Sequence, residues 1–152
     1  MKKATGVMAT EVRGMYRVPL GTLVDSNVLI DVLANDPRWA QWSIDQLEQY
    51  GSLGQLIINP IILAEISPMF ATAQDLANAL EHLPIRKEQL PWDAAFLAGQ
   101  AFKVYRGMKG IKRSPMPDFY IGAHAVVHNL RLLTRDAARY KGYFPRLTII
   151  CP

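Results

Sequence analysis

The stretch Leu23-Val24-Asp25-Ser26-Asn27-Val28-Leu29-Ile30-Asp31 decides how this chain is read. An apolar run breaks into three small polar residues and resumes at once. That pattern reads as a buried strand ending at Val24 or Asp25, followed by a tight turn into a helix. Asp25, Ser26 and Asn27 are each suited to cap the free N–H groups at the start of that helix. An acid where a strand passes into a helix stands at the carboxyl edge of a parallel sheet, the edge where α/β proteins carry their sites.

Working outward, Asn27–Ala34 reads as a short helix stopped by Asn35-Asp36-Pro37. Asp36 and Pro37 suit the cap and first turn of a second helix, which runs to about Tyr50 with Trp39, Trp42, Ile44 and Leu47 on one face and ends at Gly51. Gln55–Asn59 reads as a second buried strand, and Pro60 opens a helix that carries Glu65 and is disturbed by Pro68. Ala73–Leu83 is helical. Ile85–Leu90 reads as a connecting segment or short strand, and Pro91-Trp92-Asp93 starts a long helix through Tyr105 that closes at Gly107. A basic loop leads to Pro117, and a helix follows over Phe119–Asn129. Leu130–Leu133 is a strand, Asp136 starts a short helix, and Leu147–Cys151 is the last strand. Strands alternating with helices specify α/β architecture, a parallel sheet with right-handed crossovers and helices on both faces. The 152 residues suit one domain, expected over 21–152. Residues 1–20 are expected to be a flexible N-terminal extension, or to hold one extra strand-like segment near Tyr16–Pro19.

Half of the residues are hydrophobic and 20% are charged, an ordinary globular composition. The one cysteine, Cys151, excludes an internal disulfide framework and suits a reducing compartment. Met1-Lys2-Lys3 looks briefly like the start of a leader, but Glu11, Arg13 and Arg17 interrupt the apolar core a leader needs. No apolar run approaches the roughly 18 residues of a membrane helix. The expected location is therefore the cytoplasm, with no membrane partner. A net charge of +4, from 17 Lys+Arg against 13 Asp+Glu, favours polyanionic partners and by itself decides little.

Three acids are marked by position: Asp25 after the first strand, Asp118 at the opening of a helix, and Asp136 just past the strand ending near Thr134. Glu65, about a turn and a half beyond Pro60, can point back to the same edge. Carboxylates gathered around one cleft repel each other unless a cation compensates. An all-oxygen set suits Mg²⁺ or Mn²⁺, which recruit phosphates and favour phosphodiester hydrolysis. Each acid also has a plainer reading, since Asp25, Asp118 and Asp136 all stand where helix caps stand. Asp31, Asp36, Asp45, Asp75 and Asp93 are assigned to solvent, caps or local pairs. His124, six residues past Asp118, is read as packing. His82 and His128 have no metal-like partners in sequence. Gly122 is expected to allow close packing against the sheet.

Four motifs, taken together and in order, resemble the PIN domain family, and especially its VapC-type toxin ribonucleases. They are Val24–Asp31, Ala64-Glu65-Ile66, Pro117–Ala125 and Leu132–Asp136. The resemblance covers roughly Gly21–Pro152 and implies a three-layer α/β/α sandwich with a central, mainly parallel sheet. It implies a Mg²⁺- or Mn²⁺-dependent endoribonuclease with catalytic, metal-holding acids Asp25, Glu65, Asp118 and Asp136. It also implies a homodimer held inactive by a small antitoxin protein. Three features depart from the family, one being that residues 1–20 have no counterpart in its compact form. Ser26 stands where Thr is common, and Pro68 shortens the helix after Glu65. On this reading Ser26, Asn27 and Thr134 support the acids, and capping of the first helix falls to Ser26 or Asn27.

The run Lys103, Arg106, Lys109, Lys112 and Arg113 holds no acid and can bind an RNA backbone through Lys109, Lys112 and Arg113. Cations at a helix C-terminus also offset the helix dipole, so this run has a purely structural alternative. Two other functional readings compete with the toxin: a PIN nuclease in RNA processing outside a toxin pair, and a non-catalytic RNA- or protein-binding module.

Overall fold

The computed structural model describes residues 18–111 and 116–152. Its first strand, β1 (Gly21–Val24), is buried along its whole length, as expected of a strand covered on both faces. It pairs in parallel with β2 (Gln55–Ile58), Thr22 opposite Leu56, and with β4 (Arg131–Leu133), Leu23 opposite Leu132. β3 (Ile85–Lys87) adds outside β2, and β5 (Ile149–Ile150) outside β4. The sheet order is therefore β3-β2-β1-β4-β5, all parallel. The segment Ile85–Leu90 thus includes a true edge strand, while the last strand is shorter than Leu147–Cys151.

Between β1 and β2 lie α1 (Ser26–Leu33) and α2 (Ala40–Leu53). Asp36 accepts from the N–H groups of Arg38 and Trp39, so it caps the turn leading into α2. Gly51 does not end this helix but stands within it, and Gly54 follows the last turn. Between β2 and β3 come α3 (Pro60–Ile66), a 3₁₀ turn (Ser67–Met69) and α4 (Ala73–Glu81). Pro68 thus converts the end of α3 to 3₁₀ geometry and leaves the turn carrying Glu65 helical. α5 (Trp92–Gly107) and α6 (Pro117–Val127) connect β3 to β4, and α7 (Ala138–Lys141) precedes β5. With right-handed crossovers, connections from β1 toward β3 cover one face and those leading back to β4 and β5 cover the other. The result is the three-layer α/β/α arrangement.

α6 is apolar nearly all round because it is enclosed: Phe119, Ile121, Ala123, His124 and Ala125 are all buried. Gly122 faces Phe144 rather than the sheet. A Cβ built there would lie 2.4 Å from the Phe144 ring. Three helices end on non-glycine residues in the left-handed region, Asn35, Lys109 and Asn129, with φ of 49°, 64° and 51°. In each case the following N–H reaches back five residues: Asp36 to Asp31, Gly110 to Tyr105, and Leu130 to Ala125. These bonds satisfy carbonyls the helix leaves open.

The segment 1–17 lies outside the described residues, and so do Lys112 and Arg113. Val18 and Leu20 are exposed. Asp31 departs from the solvent or local role expected of it. It is 2% exposed and paired across the fold, as described next.

Candidate active site

β1 is central in the sheet, and the chain leaves it toward β2 on one side and reaches β4 on the other. The carboxyl edge between β1 and β4 is therefore a topological switch point, where a crevice opens. Asp25 follows β1 there, its N–H bonded to the Leu133 carbonyl at 2.9 Å. Thr134, Arg135 and Asp136 follow β4. Glu65 comes from α3 and Asp118 from the first turn of α6. These elements bring all four acids to one cavity of about 210 Å³, which Ser26, Asn27, Arg135 and Arg139 also line.

Asp25 is held by an unusually complete set of donors. Its Oδ1 accepts from the Ser26 N–H at 2.8 Å, so Asp25 itself caps α1 rather than leaving the cap to Ser26 or Asn27. Its Oδ2 accepts from Thr134 Oγ1 and from Tyr140 OH, each at 2.8 Å, and from Asn27 Nδ2 at 3.4 Å. Capping and site membership, which compete as explanations in sequence, coexist in one carboxylate. Ser26 Oγ donates to Glu65 Oε2 at 3.2 Å and so ties the two acids together. Asn27 Nδ2 also donates to Thr134 Oγ1 at 3.2 Å, while Asn27 Oδ1 accepts from the Arg135 N–H at 3.0 Å. The Asp136 N–H donates to Thr134 Oγ1 at 3.0 Å.

The other three acids are less fully satisfied. Glu65 Oε1 is buried and has no hydrogen-bond partner among the described residues. Burial raises the Glu65 pKa above the ordinary carboxylate value, and the neighbouring charge on Asp25 adds to the rise. Asp118 is raised as well, chiefly by burial, with Arg139 opposing and Asp25 reinforcing. Four carboxylates, one with a buried oxygen left open, are oxygen donors of the type that hard divalent cations take. A buried acceptor without a donor is costly unless something positive completes it.

Sequence reasoning passed over three residues at this edge. Tyr140 is fully buried, and its hydroxyl lies 2.8 Å from Asp25 Oδ2 and 3.4 Å from Asp118 Oδ1. Burial and these acids push its pKa far above the usual phenol value, so it stays protonated and donates. Arg135 makes a two-point pair with Asp31, Nε to Oδ2 at 2.6 Å and Nη2 to Oδ1 at 2.9 Å, and lies over the Trp39 ring. Ser43 Oγ also donates to Asp31. Arg139 pairs with Asp136 at 2.6 Å and Asp118 at 3.5 Å. Only Arg139 has a signal in sequence, its i,i+3 spacing from Asp136. Lys109 is exposed just past α5 and does not line the cavity.

A second group of ligating side chains, Glu88, His124 and His128, lies elsewhere, with ligand atoms all within 4.8 Å of one another. Its hydrogen bonds argue against an ion. Asn59 caps α3, its Oδ1 accepting from the Ile62 N–H at 2.9 Å, so its Nδ2 faces His124 Nδ1 at 3.0 Å. The bare nitrogen of His124 is then Nδ1, and Nε2 carries the proton and donates to Glu88. Burial keeps His124 neutral by lowering its pKa. A protonated Nε2 is no metal ligand. This group is a polar buttress joining β3, α3 and α6, so His124 does more than fill space, and His128 also contacts Glu88.

This fold and edge geometry define a known class. The PIN domain model matches residues 22–144, and the chain belongs to that family. Among solved structures it is similar to VapBC2 from Rickettsia felis bound to a promoter DNA fragment. That match has 16% identity and a TM-score of 0.67, and covers 86% of this chain and 97% of the other. It is also similar to a toxin–antitoxin complex from Klebsiella pneumoniae, at 23% identity and TM-score 0.64 over 87% and 98% of the two chains. A third is FitAcB from Neisseria gonorrhoeae, at 20% identity and TM-score 0.61 over 85% and 96%. No curated protein matches the sequence.

Proposed function

We propose that this chain is a Mg²⁺- or Mn²⁺-dependent endoribonuclease that hydrolyses RNA phosphodiester bonds and serves as the toxin of a toxin–antitoxin pair. The observation that carries the reading is the convergence of Asp25, Glu65, Asp118 and Asp136 on one cavity, with Glu65 Oε1 buried and open. Family membership and likeness to toxin–antitoxin complexes support it.

Asp25, Asp118, Asp136 and Glu65 would hold the cation. When bound, the cation neutralises charge on the phosphoryl group and acidifies a water for in-line attack. The chain's own residues do the rest. Thr134, Tyr140, Asn27 and the Ser26 N–H fix the Asp25 carboxylate. Glu65, with its open oxygen, serves either as a fourth ligand or as the group that orients the attacking water. Lys109, with Lys112 and Arg113, supplies phosphate contacts that carry affinity rather than sequence reading. Partners under this reading are RNA, a small antitoxin protein and a second copy of the chain, in the cytoplasm. No helix among the described residues is long and apolar enough to cross a membrane.

Cleavage of single-stranded RNA is expected to need Mg²⁺ or Mn²⁺ and to stop on EDTA. Glu65→Gln is expected to lower kcat by about 10²–10⁴-fold. Asp118→Asn should abolish cleavage while leaving the circular dichroism spectrum unchanged. Full metal-dependent activity in Asp118→Asn would sink the assignment. The toxin role is checked by expressing the chain with and without any short reading frame that sequencing finds beside its gene. Growth arrest relieved by that frame supports a pair, and arrest indifferent to it speaks against one.

A further inference from the structure

The acid cavity already contains a cation of its own. Arg139 lies on the one-turn helix α7, its Nε 2.6 Å from Asp136 Oδ2 and its Nη1 3.5 Å from Asp118 Oδ2. The other cation lining the cavity, Arg135, is committed to Asp31 by two short bonds. Arg139 is held differently. Its side chain is 59% exposed, so charge rather than packing keeps it over the acids. An exposed pair of this kind is weak and exchanges readily.

We propose that Arg139 is the counter-ion of the metal-free site, occupying the acids a divalent cation must take and turning to the RNA backbone once displaced. The inference rests on the metal-site reading above. A guanidinium bound to Asp136 and near Asp118 cannot stay there beside a dication using the same oxygens, because like charges repel and the acceptors are shared. An arginine freed at the rim of an acidic nuclease cavity is well shaped to take a phosphate, for which its planar fork provides two parallel donors. Arg139 therefore offsets the charge of Asp136 and Asp118 without metal, and the same side chain supplies a phosphate contact where the metal is bound.

Mn²⁺ titrated calorimetrically into the RNA-free protein tests the first half. Arg139→Gln is expected to bind Mn²⁺ about two- to fivefold more tightly than wild type, since it removes a competitor worth no more than an exposed ion pair. It should also melt at a lower temperature than wild type without metal and gain more from added Mn²⁺. Unchanged or weaker Mn²⁺ binding would overturn the counter-ion role. The second half is read with a fluorescent single-stranded phosphorothioate RNA in Mn²⁺. Arg139→Gln should bind it more weakly, with the slope of log affinity against log salt reduced by about 0.7. An unchanged slope would overturn the phosphate contact. If wild type itself takes up no Mn²⁺, the metal-site reading fails and the counter-ion role that rests on it falls with it, whereas Mn²⁺ uptake unchanged by Arg139→Gln overturns the counter-ion role alone.

Discussion

Asp25 and Asp118 belong to one cavity but differ in how fully each is satisfied. Asp25 accepts from four residues, so its charge is compensated by hydrogen bonds. Asp118 has a long contact to Tyr140 and the exposed charge of Arg139. The pKa of Asp118 is raised above its ordinary 3.8, chiefly by burial. A carboxyl raised in the folded state stabilises the fold below its unfolded pKa and loses that contribution as pH rises through the folded pKa. At neutral pH ionised Asp118 is therefore a cost to the metal-free protein. Asp118→Asn should raise Tm by about 2–4 °C there, the shift for about 1 kcal/mol in a chain of this size. That gain should shrink toward zero as pH falls through the acid range, which paired melting curves of mutant and wild type will measure. Tyr140→Phe tests the opposite case. It removes a donor to a buried carboxylate and should cost about 1.5–3 kcal/mol in urea unfolding.

Two contacts between elements decide how the site is braced. The Asp31–Arg135 pair joins α1 to the segment after β4, and Arg135 is immediately followed by Asp136. Arg135→Ala would leave a carboxylate that is 2% exposed with Ser43 as its remaining side-chain donor among the described residues. The expected loss is about 2–4 kcal/mol in urea unfolding, because a buried charge loses its partner. A loss under about 0.5 kcal/mol, the scale of an ordinary surface change, would show that the pair is not braced by burial. Gly122 brings α6 against Phe144. Gly122→Ala improves helix propensity yet should destabilise by about 1–3 kcal/mol, since the added methyl overlaps a buried ring.

For the molecule as a whole, the all-parallel order β3-β2-β1-β4-β5 makes the site a property of topology. Acids from β1, α3, α6 and the end of β4 meet because β1 is flanked by β2 and β4. Under the proposed function, Mn²⁺ at about a hundred times its Kd should stabilise the fold by about 2.7 kcal/mol. A scanning-calorimetry Tm that does not move with Mn²⁺ would contradict it.

The α/β class, the strands at Leu23 and Leu56–Ile58, and the strand-end position of Asp25 were legible because side-chain periodicity and capping are local. The sequence could also place Glu65, Asp118 and Asp136 one by one at element ends, since each follows a local start or stop signal. It could not read Asp31, Arg135, Tyr140 or Arg139 correctly. The Arg135–Asp31 and Tyr140–Asp25 bonds span 104 and 115 residues and exist only because β4 returns to lie beside β1. Capping and site membership looked like alternatives for Asp25 because a sequence assigns one role per position. The folded carboxylate has two oxygens, and Oδ1 caps the helix while Oδ2 is held by Thr134 and Tyr140.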